Sequence, residues 1–119
     1  MGSHNHIIHA EVVGKDGAKI QQFFSELFGW SLDTNNPGGY GMSDPETTGV
    51  ACGAGGTPDG SSGFATFYVA VDDVEAALQK VEAAGGTRVM GPETVMENIV
   101  VGMFTDPEGH VVGLVNPQM

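Results

Sequence analysis

Cationic residues and cysteine are scarce in this chain of 119 residues. Four Lys and Arg stand against fifteen Asp and Glu, which gives a net charge of −11. A charge of this sign repels a phosphate backbone, so nucleic acid is excluded as a partner. The single cysteine, Cys52, cannot form an internal disulfide, which is typical of a reducing compartment. We therefore expect a cytoplasmic protein.

Long apolar runs are also missing. None approaches the roughly 20 residues of a membrane-spanning helix, so we expect no membrane partner. Apolar residues make up 40% of the chain and charged residues 16%, which favours a folded, soluble protein, and 119 residues suit a single domain, 1–119. The start has no basic segment and no apolar signal core, so export is not expected. Gly2 to His4 resemble residues left by a cloning vector and are excluded from the site.

The first half predicts a strand, a helix and three short strands. His6–Val13 is an apolar, β-branched run typical of a buried strand. The helical spacing of apolar residues over Ile20–Phe28 predicts one inward stripe, with Gln21 on the outer side and Gly29 at the end. The strands are expected at Trp30–Asp33, Gly39–Ser43 and Gly49–Ala54, separated by turns at Asn35–Gly38 and Asp44-Pro45.

The second half repeats this order. Gly53–Gly63 has almost nothing to bury and is the expected joint. A strand at Phe64–Val71 and a helix from Val74 to Gly85, capped by Asp72 or Asp73, should follow. Further strands are predicted at about Thr87–Met90, Ile99–Thr105 and His110–Val115, with a type I turn at 106–109.

The halves align at one offset of 57 positions, as between Asp16 and Asp73. This internal repeat predicts an α+β fold of two βαβββ modules, at about residues 6–56 and 64–117. The modules would form a curved, partly closed mixed β-sheet around a cavity, with the helices outside. They could pair within one chain or exchange across a homodimer.

The chain resembles a known superfamily in two groups of residues. The first half has His9, Asp16, Phe23-Phe24 and Phe28-Gly29-Trp30, and the second has Val71-Asp72-Asp73, Ala84-Gly85-Gly86 and Asp106-Pro107-Glu108-Gly109-His110. This order resembles the vicinal oxygen chelate superfamily, which includes glyoxalase I, extradiol dioxygenases, and fosfomycin and bleomycin resistance proteins. The resemblance covers nearly the whole chain and implies the fold predicted above.

The resemblance also implies metal ligands on the first and last strands of each half. His9 stands at the first of these positions, whereas Thr66 and Gly113 stand at the two in the second half. The last strand of the first half offers only Cys52. Glu11 shares the strand face of His9 and could substitute locally, but two donors on one strand close only part of a coordination sphere. We expect no metal site and no cofactor.

Strand alternation turns His9 and Glu11 inward, with Thr66 and Tyr68 at the repeat-related positions. A buried carboxylate is costly unless it is paired, so Glu11 predicts an ion pair with His9, access of water, or a cationic ligand group. Apolar walls complete a small-molecule site. The predicted ligand-binding residues are His9, Glu11, Trp30, Tyr40, Met42, Cys52, Thr66, Tyr68, Met90, Met96, Met103 and Leu114; no catalytic residue is assigned.

Three functions remain open. The first is a homodimer that binds a hydrophobic, cationic or aromatic small molecule, as in the antibiotic-resistance branch that holds bleomycin resistance proteins. The second is a lyase, isomerase or dioxygenase that uses His9 and Glu11 as acid and base or in an altered metal centre. The third is a regulatory module with a vestigial pocket. A nucleophile and base pair of Cys52 and His9 lacks a visible third group, and His110 is expected at the rim or surface.

Overall fold

The structure is a computed structural model that describes residues 4–96 and 98–116. Gly2, Ser3 and residue 117 of the predicted second module lie outside them. Two compact units divide the chain: the first unit is His9–Thr66, and the second unit holds the described residues up to Ile8 and from Phe67 onward. The elements are β1 (Ile7–Gly14), α1 (Gly17–Phe28), β2 (Gly41–Met42), α2 (Pro45–Thr48), β3 (Ala51–Gly56), β4 (Phe64–Ala70), α3 (Val74–Ala83), β5 (Thr87–Val95), β6 (Ile99–Thr105) and β7 (Val111–Asn116).

The first unit holds a mixed sheet in the order β2-β3-β1. β1 pairs in parallel with β3, and β2 pairs antiparallel with β3. α1 packs against β3. The Asp16 side chain accepts a hydrogen bond from the Lys19 N–H at the start of α1, and Gly29, in the left-handed conformation, ends the helix as predicted.

The rotation of α1 differs from the sequence prediction. Phe23, Leu27 and Phe28 of the predicted inward stripe are each more than half exposed. Gln21, expected on the outer side, faces the unit and donates hydrogen bonds of 2.8 Å to the carbonyls of Gly39 and Ala54. The Ala54 carbonyl belongs to a fully buried residue and needs a donor, which Gln21 supplies. The expectation that all of the stripe is buried was therefore wrong.

Three segments of the first unit also differ from the sequence prediction: the strand after α1, the turn at Asp44-Pro45 and the joint that begins at Gly53. The predicted strand at Trp30–Asp33 is reduced to one bridge, between Asp33 and Met42. The predicted turn at Asp44-Pro45 begins α2, because the Asp44 side chain accepts a hydrogen bond from the Glu46 N–H. The segment from Gly53, expected to bury almost nothing, is strand as far as Gly56, and its Ala54 is 0% exposed.

The second unit has the strand order β4-β7-β6-β5, with β4 parallel to β7 and the other pairs antiparallel. α3 begins after Asp73, whose side chain accepts from the Ala76 N–H. Its buried side, Val74 and Leu78, packs with Leu114 to form the core. β5 extends beyond the predicted end at Met90.

Two local features fix the ends of this second sheet. The turn after β6 closes with a hydrogen bond from the Gly109 N–H to the Asp106 carbonyl, as predicted. On β5, Arg88 reaches α3 and forms two hydrogen bonds with the Glu75 carboxylate, of 2.8 and 2.9 Å. This ion pair ties the helix to the outer strand.

Each unit pairs its first strand in parallel with its last, as β1 with β3 and β4 with β7. The α+β class is confirmed, whereas the module bounds stay predictions. In the described part of the chain, no helix is both long and apolar enough to cross a membrane.

Candidate functional site

One face of the first unit's sheet carries the polar residues that the sequence singled out. His9 lies opposite Ala51 and Glu11 opposite Gly53, and Met42 pairs with Gly53 from the other side. Directly opposed residues in a sheet share a face. The structure therefore brings His9, Glu11 and Met42 together on this face.

Tyr40 joins the two ionisable residues. Its hydroxyl donates a hydrogen bond of 2.8 Å to Glu11 Oε2 and lies 2.9 Å from His9 Nε2. The Tyr40 hydroxyl carries a single hydrogen, which it donates to the Glu11 carboxylate. The imidazole must then donate from Nε2 to the phenol oxygen, which assigns the tautomer. We call this arrangement the His9–Tyr40–Glu11 triplet.

Two glycines of β3 make room for Tyr40. A Cβ added at Gly53 would overlap the Tyr40 hydroxyl and ring, and a Cβ at Gly55 would lie 3.1 Å from Tyr40 Cδ1. The ring therefore lies directly on the backbone of the strand. Asn36 anchors the Tyr40 backbone, because its side-chain amide donates to the carbonyls of Tyr40, at 2.9 Å, and Asp33, at 2.8 Å.

Burial sets the charge of the histidine. Desolvation lowers the pKa of His9 below its ordinary value of 6.5, because burial penalises the cation. At neutral pH the imidazole is uncharged, which agrees with an Nε2–H that donates to Tyr40. That Tyr40 contacts a ligand stays a prediction. Its hydroxyl links the Glu11 carboxylate to the His9 imidazole.

Other predicted residues of the first unit lie elsewhere. Cys52 pairs with Ala10, so strand alternation places it on the opposite face from His9. Its buried thiol donates to the Val50 carbonyl at 3.4 Å, and the suggested pair with His9 is not brought together. Trp30 stacks on Phe24, with ring centroids 5.3 Å apart and an angle of 13°. Thr66 lies on β4 at the end of the first unit.

The second unit brings several predicted residues into one row. Tyr68 pairs with Gly113, Gly113 with Met103, and Met103 with Met90, so these residues share a face of four neighbouring strands. The Tyr68 ring covers Gly113, where an added Cβ would overlap it.

Three further residues of the second unit lie outside that row. Leu114, next to Gly113, points to the opposite face and is buried in the core with Val74 and Leu78, away from the row. Met96 lies in the turn between β5 and β6. His110, expected at the rim or surface, is largely exposed and contacts the Asp106 carboxylate at 3.0 Å.

The residues at the implied metal positions do not fit a metal. On β3 the side chains that share the face of His9 come from Ala51 and Gly53, which offer no donor. Gly113 has no side chain, and the Tyr68 ring occupies the space where one would begin. Among residues 4–96 and 98–116, no group of three or more His, Cys, Asp or Glu side chains is arranged to hold an ion.

A separate depression of 380 Å³ lies beside the start of α1. Its lining, which includes Gly17, Gln21, Thr34 and Gly38, contains no ionisable side chain. The sequence did not predict it. The triplet, and not this depression, concentrates the chemically active groups of the first unit.

The comparisons with known proteins agree with the fold. The family model described as Glyoxalase/Bleomycin resistance protein/Dioxygenase superfamily matches residues 6–114. CFP32 of Mycobacterium bovis, a glyoxylase in name, is 36% identical over 106 residues, which are 83% of this chain and 41% of CFP32. The anthracycline biosynthesis protein DnrV of Streptomyces peucetius is 31% identical over 111 residues, covering 79% and 40% of the two chains. The chain thus spans about two fifths of the length of these relatives.

Solved structures show the same fold at low identity. A superfamily member from Vibrio splendidus 12B01 matches with a TM-score of 0.64 and 19% identity, covering 96% of this chain and 100% of that chain. Methylmalonyl-CoA epimerase of Streptomyces coelicolor matches with a TM-score of 0.63 and 16% identity, covering 98% and 100%. With the family model spanning most of its length, the chain belongs to the glyoxalase, bleomycin resistance protein and dioxygenase superfamily.

Proposed function

We propose that the chain binds a small organic molecule with a cationic group at the His9–Tyr40–Glu11 triplet, without a metal ion or cofactor. The observation that carries this proposal is the hydrogen bond from the Tyr40 hydroxyl to Glu11. It fixes the direction of a partly buried carboxylate on a sheet face. A carboxylate has about four lone-pair sites, and a fixed one is a specific acceptor for a ligand ammonium.

The surroundings of the triplet support this ligand class. The net charge of −11 raises the local concentration of cations. The neutral His9 does not compete with a ligand cation for Glu11 in the way an imidazolium would. Met42 shares the face and adds a flexible apolar contact for the organic part of the ligand. One relative is named for anthracycline biosynthesis, which agrees with an organic ligand.

The proposal extends to the setting of the protein. The chain acts in the cytoplasm as a homodimer that sequesters its ligand, as a resistance protein does. Tyr68, Met90 and Met103, which form the row on the second unit's sheet, give that unit an apolar and hydroxyl-bearing surface of its own.

A calorimetric titration tests the binding site. The probes are tryptamine, an aromatic amine, and tryptophol, in which a neutral hydroxyl replaces the ammonium. We expect tryptamine to bind the native chain more tightly than tryptophol, and Glu11→Gln to weaken tryptamine binding by about tenfold or more while leaving tryptophol unchanged. Glu26→Gln is the matched control, since it removes one exposed carboxylate of α1. An equal loss of tryptamine affinity in both variants would mean that only the net charge matters, and it would reject Glu11 as the binding site.

A second measurement tests the absence of a metal. Elemental analysis of the purified protein should show no stoichiometric metal, and melts with Ni, Zn, Fe and Mn ions should leave Tm unchanged. A stoichiometric ion whose stabilising effect disappears in His9→Ala would overturn this part of the proposal.

One observation favours an enzyme as the second candidate. The Nε2–H of His9, the phenol of Tyr40 and the Glu11 carboxylate form a continuous hydrogen-bonded chain, along which a proton could pass between acid and base. Methylmalonyl-CoA in D2O distinguishes the two functions by NMR. The binding proposal expects no deuterium uptake above background. Uptake that falls strongly in Tyr40→Phe would favour a lyase or isomerase.

A further inference from the structure

The outer side of α1 exposes three large apolar side chains. Phe23, Leu27 and Phe28 are 57%, 58% and 59% exposed. Phe23 and Leu27, four residues apart, are neighbours on the helix surface, and Phe28 lies about 100° further round the last turn. We call these three residues the α1 apolar face. A surface helix ordinarily turns such residues toward the core, so an exposed set of this size indicates a contact surface.

Two of the three side chains of the α1 apolar face, Phe23 and Phe28, pack against neighbouring rings. Phe23 meets Phe24 edge to face at 5.2 Å, Phe24 stacks on Trp30 at 5.3 Å, and Phe28 lies 5.7 Å from Trp30. Phe24 and Trp30 thus pack behind the exposed rings of Phe23 and Phe28. Binding to a preorganised aromatic surface costs little side-chain entropy, which is why such residues form the anchors of interfaces.

The exposed area is that of an interface centre. An aromatic side chain can bury 150–250 Å². At the observed exposures the three residues offer roughly 300 Å² of apolar surface, against the roughly 800 Å² that each partner contributes to a standard interface. The face therefore supplies the apolar centre, and its polar surroundings supply the rim.

The charges around α1 select the partner. Residues 15–30 contain Lys15, Lys19, Asp16 and Glu26 and are neutral overall, so the other residues carry the whole net charge of −11. Two copies of the chain carry like net charge and repel each other, and a contact centred on this neutral segment adds no local repulsion. A cationic partner would instead be drawn to the acidic remainder of the surface.

We infer that the α1 apolar face is the centre of a two-fold contact between two copies of this chain. In such a contact Leu27 and its neighbours meet the same residues of the partner subunit across the axis. The curated relatives leave well over half of their own length outside the match, which is room for a second domain of this size in one chain. The inference rests on the proposed homodimer and is independent of the ligand.

Sedimentation velocity between about 1 and 100 µM tests this interface. We expect the native protein to have twice the mass of the 12.3 kDa chain. Leu27→Asp should weaken the dimer by about a hundredfold, since it places two like charges at the axis, and Phe23→Ser should weaken it in the same direction. Val89→Asp is the matched control, because Val89 is an equally exposed apolar residue on β5. It should leave the dimer intact.

The other outcomes each overturn the inference. If all variants stay dimeric, the homodimer stands but uses another surface. If the native chain is a monomer at every concentration, both the homodimer and its interface are rejected, and binding of the native chain to phosphatidylcholine vesicles would then assign the face to lipid. Tryptamine titration of folded Leu27→Asp keeps the two proposals separate, because the Glu11 site should bind unchanged.

Discussion

Replacing Gly53 by alanine tests whether the position of Tyr40 depends on a strand that has no side chain beneath the ring. The new methyl group would overlap the Tyr40 hydroxyl and ring. Overpacking of this kind costs about 1–3 kcal/mol. Where space is available, alanine in place of glycine instead stabilises a strand by about 0.5–1 kcal/mol. In a Tyr40→Ala background the space is available, so the sign of the effect should reverse.

Urea unfolding of the four proteins of this double-mutant cycle measures the difference. Trp30, the only tryptophan, lies in the same unit as Tyr40 and reports the transition by fluorescence. We expect a coupling free energy of about 2 kcal/mol or more. Gly55→Ala is the graded control, since its Cβ would lie 3.1 Å from Cδ1 of Tyr40, and it should couple more weakly. Additivity within about 0.5 kcal/mol at Gly53 would refute the assigned position of the ring.

Three further predictions concern charge and packing. Burial lowers the pKa of His9, so the unfolded chain takes up the proton first and the free energy of unfolding falls as the pH drops below 6.5. The contribution of His9 to this slope is at most about 1.4 kcal/mol per pH unit. Urea titrations at several pH values should show that His9→Asn lacks this contribution. Hydrogen bonds from Arg88 hold the pKa of Glu75 at about 2, so Arg88→Met should lower Tm at pH 7, and the difference in melts should fade between pH 4.5 and 2. Leu78 is fully buried, and Leu78→Ala should cost about 2–5 kcal/mol in urea, whereas a loss below about 1 kcal/mol would contradict its place in the core.

Elements whose signals are local could be predicted from the sequence. β6 has the bounds that its β-branched run indicated, and Gly29 ends α1 because a left-handed residue there costs glycine little. The rotation of α1 could not be predicted. Apolar periodicity defines a stripe of about 140° but does not say which part of it faces the unit, and the carbonyls of Gly39 and Ala54 that turn Gln21 inward are neighbours only in the folded chain.

The same division holds for the site. Alternation along one strand placed His9 and Glu11 on a common face, and the structure brings them there. The role of Tyr40 depends on a contact over 29 positions of sequence, for which a single sequence has no local signal. The sequence did contain one indication of this contact, because glycines occupy alternate positions of β3, Gly53 and Gly55. Glycine within a strand often marks a site where another group packs against the strand backbone.

The His9–Tyr40–Glu11 triplet combines two side chains of strand β1 with one side chain from a connecting segment. β1 and β3 are held together by backbone hydrogen bonds, whereas Tyr40 lies at the end of the short connection Asn36–Tyr40 that precedes β2. A substitution within those five residues therefore changes the group that lies above Gly53 and Gly55 while the ladder of β1 and β3 stays in place.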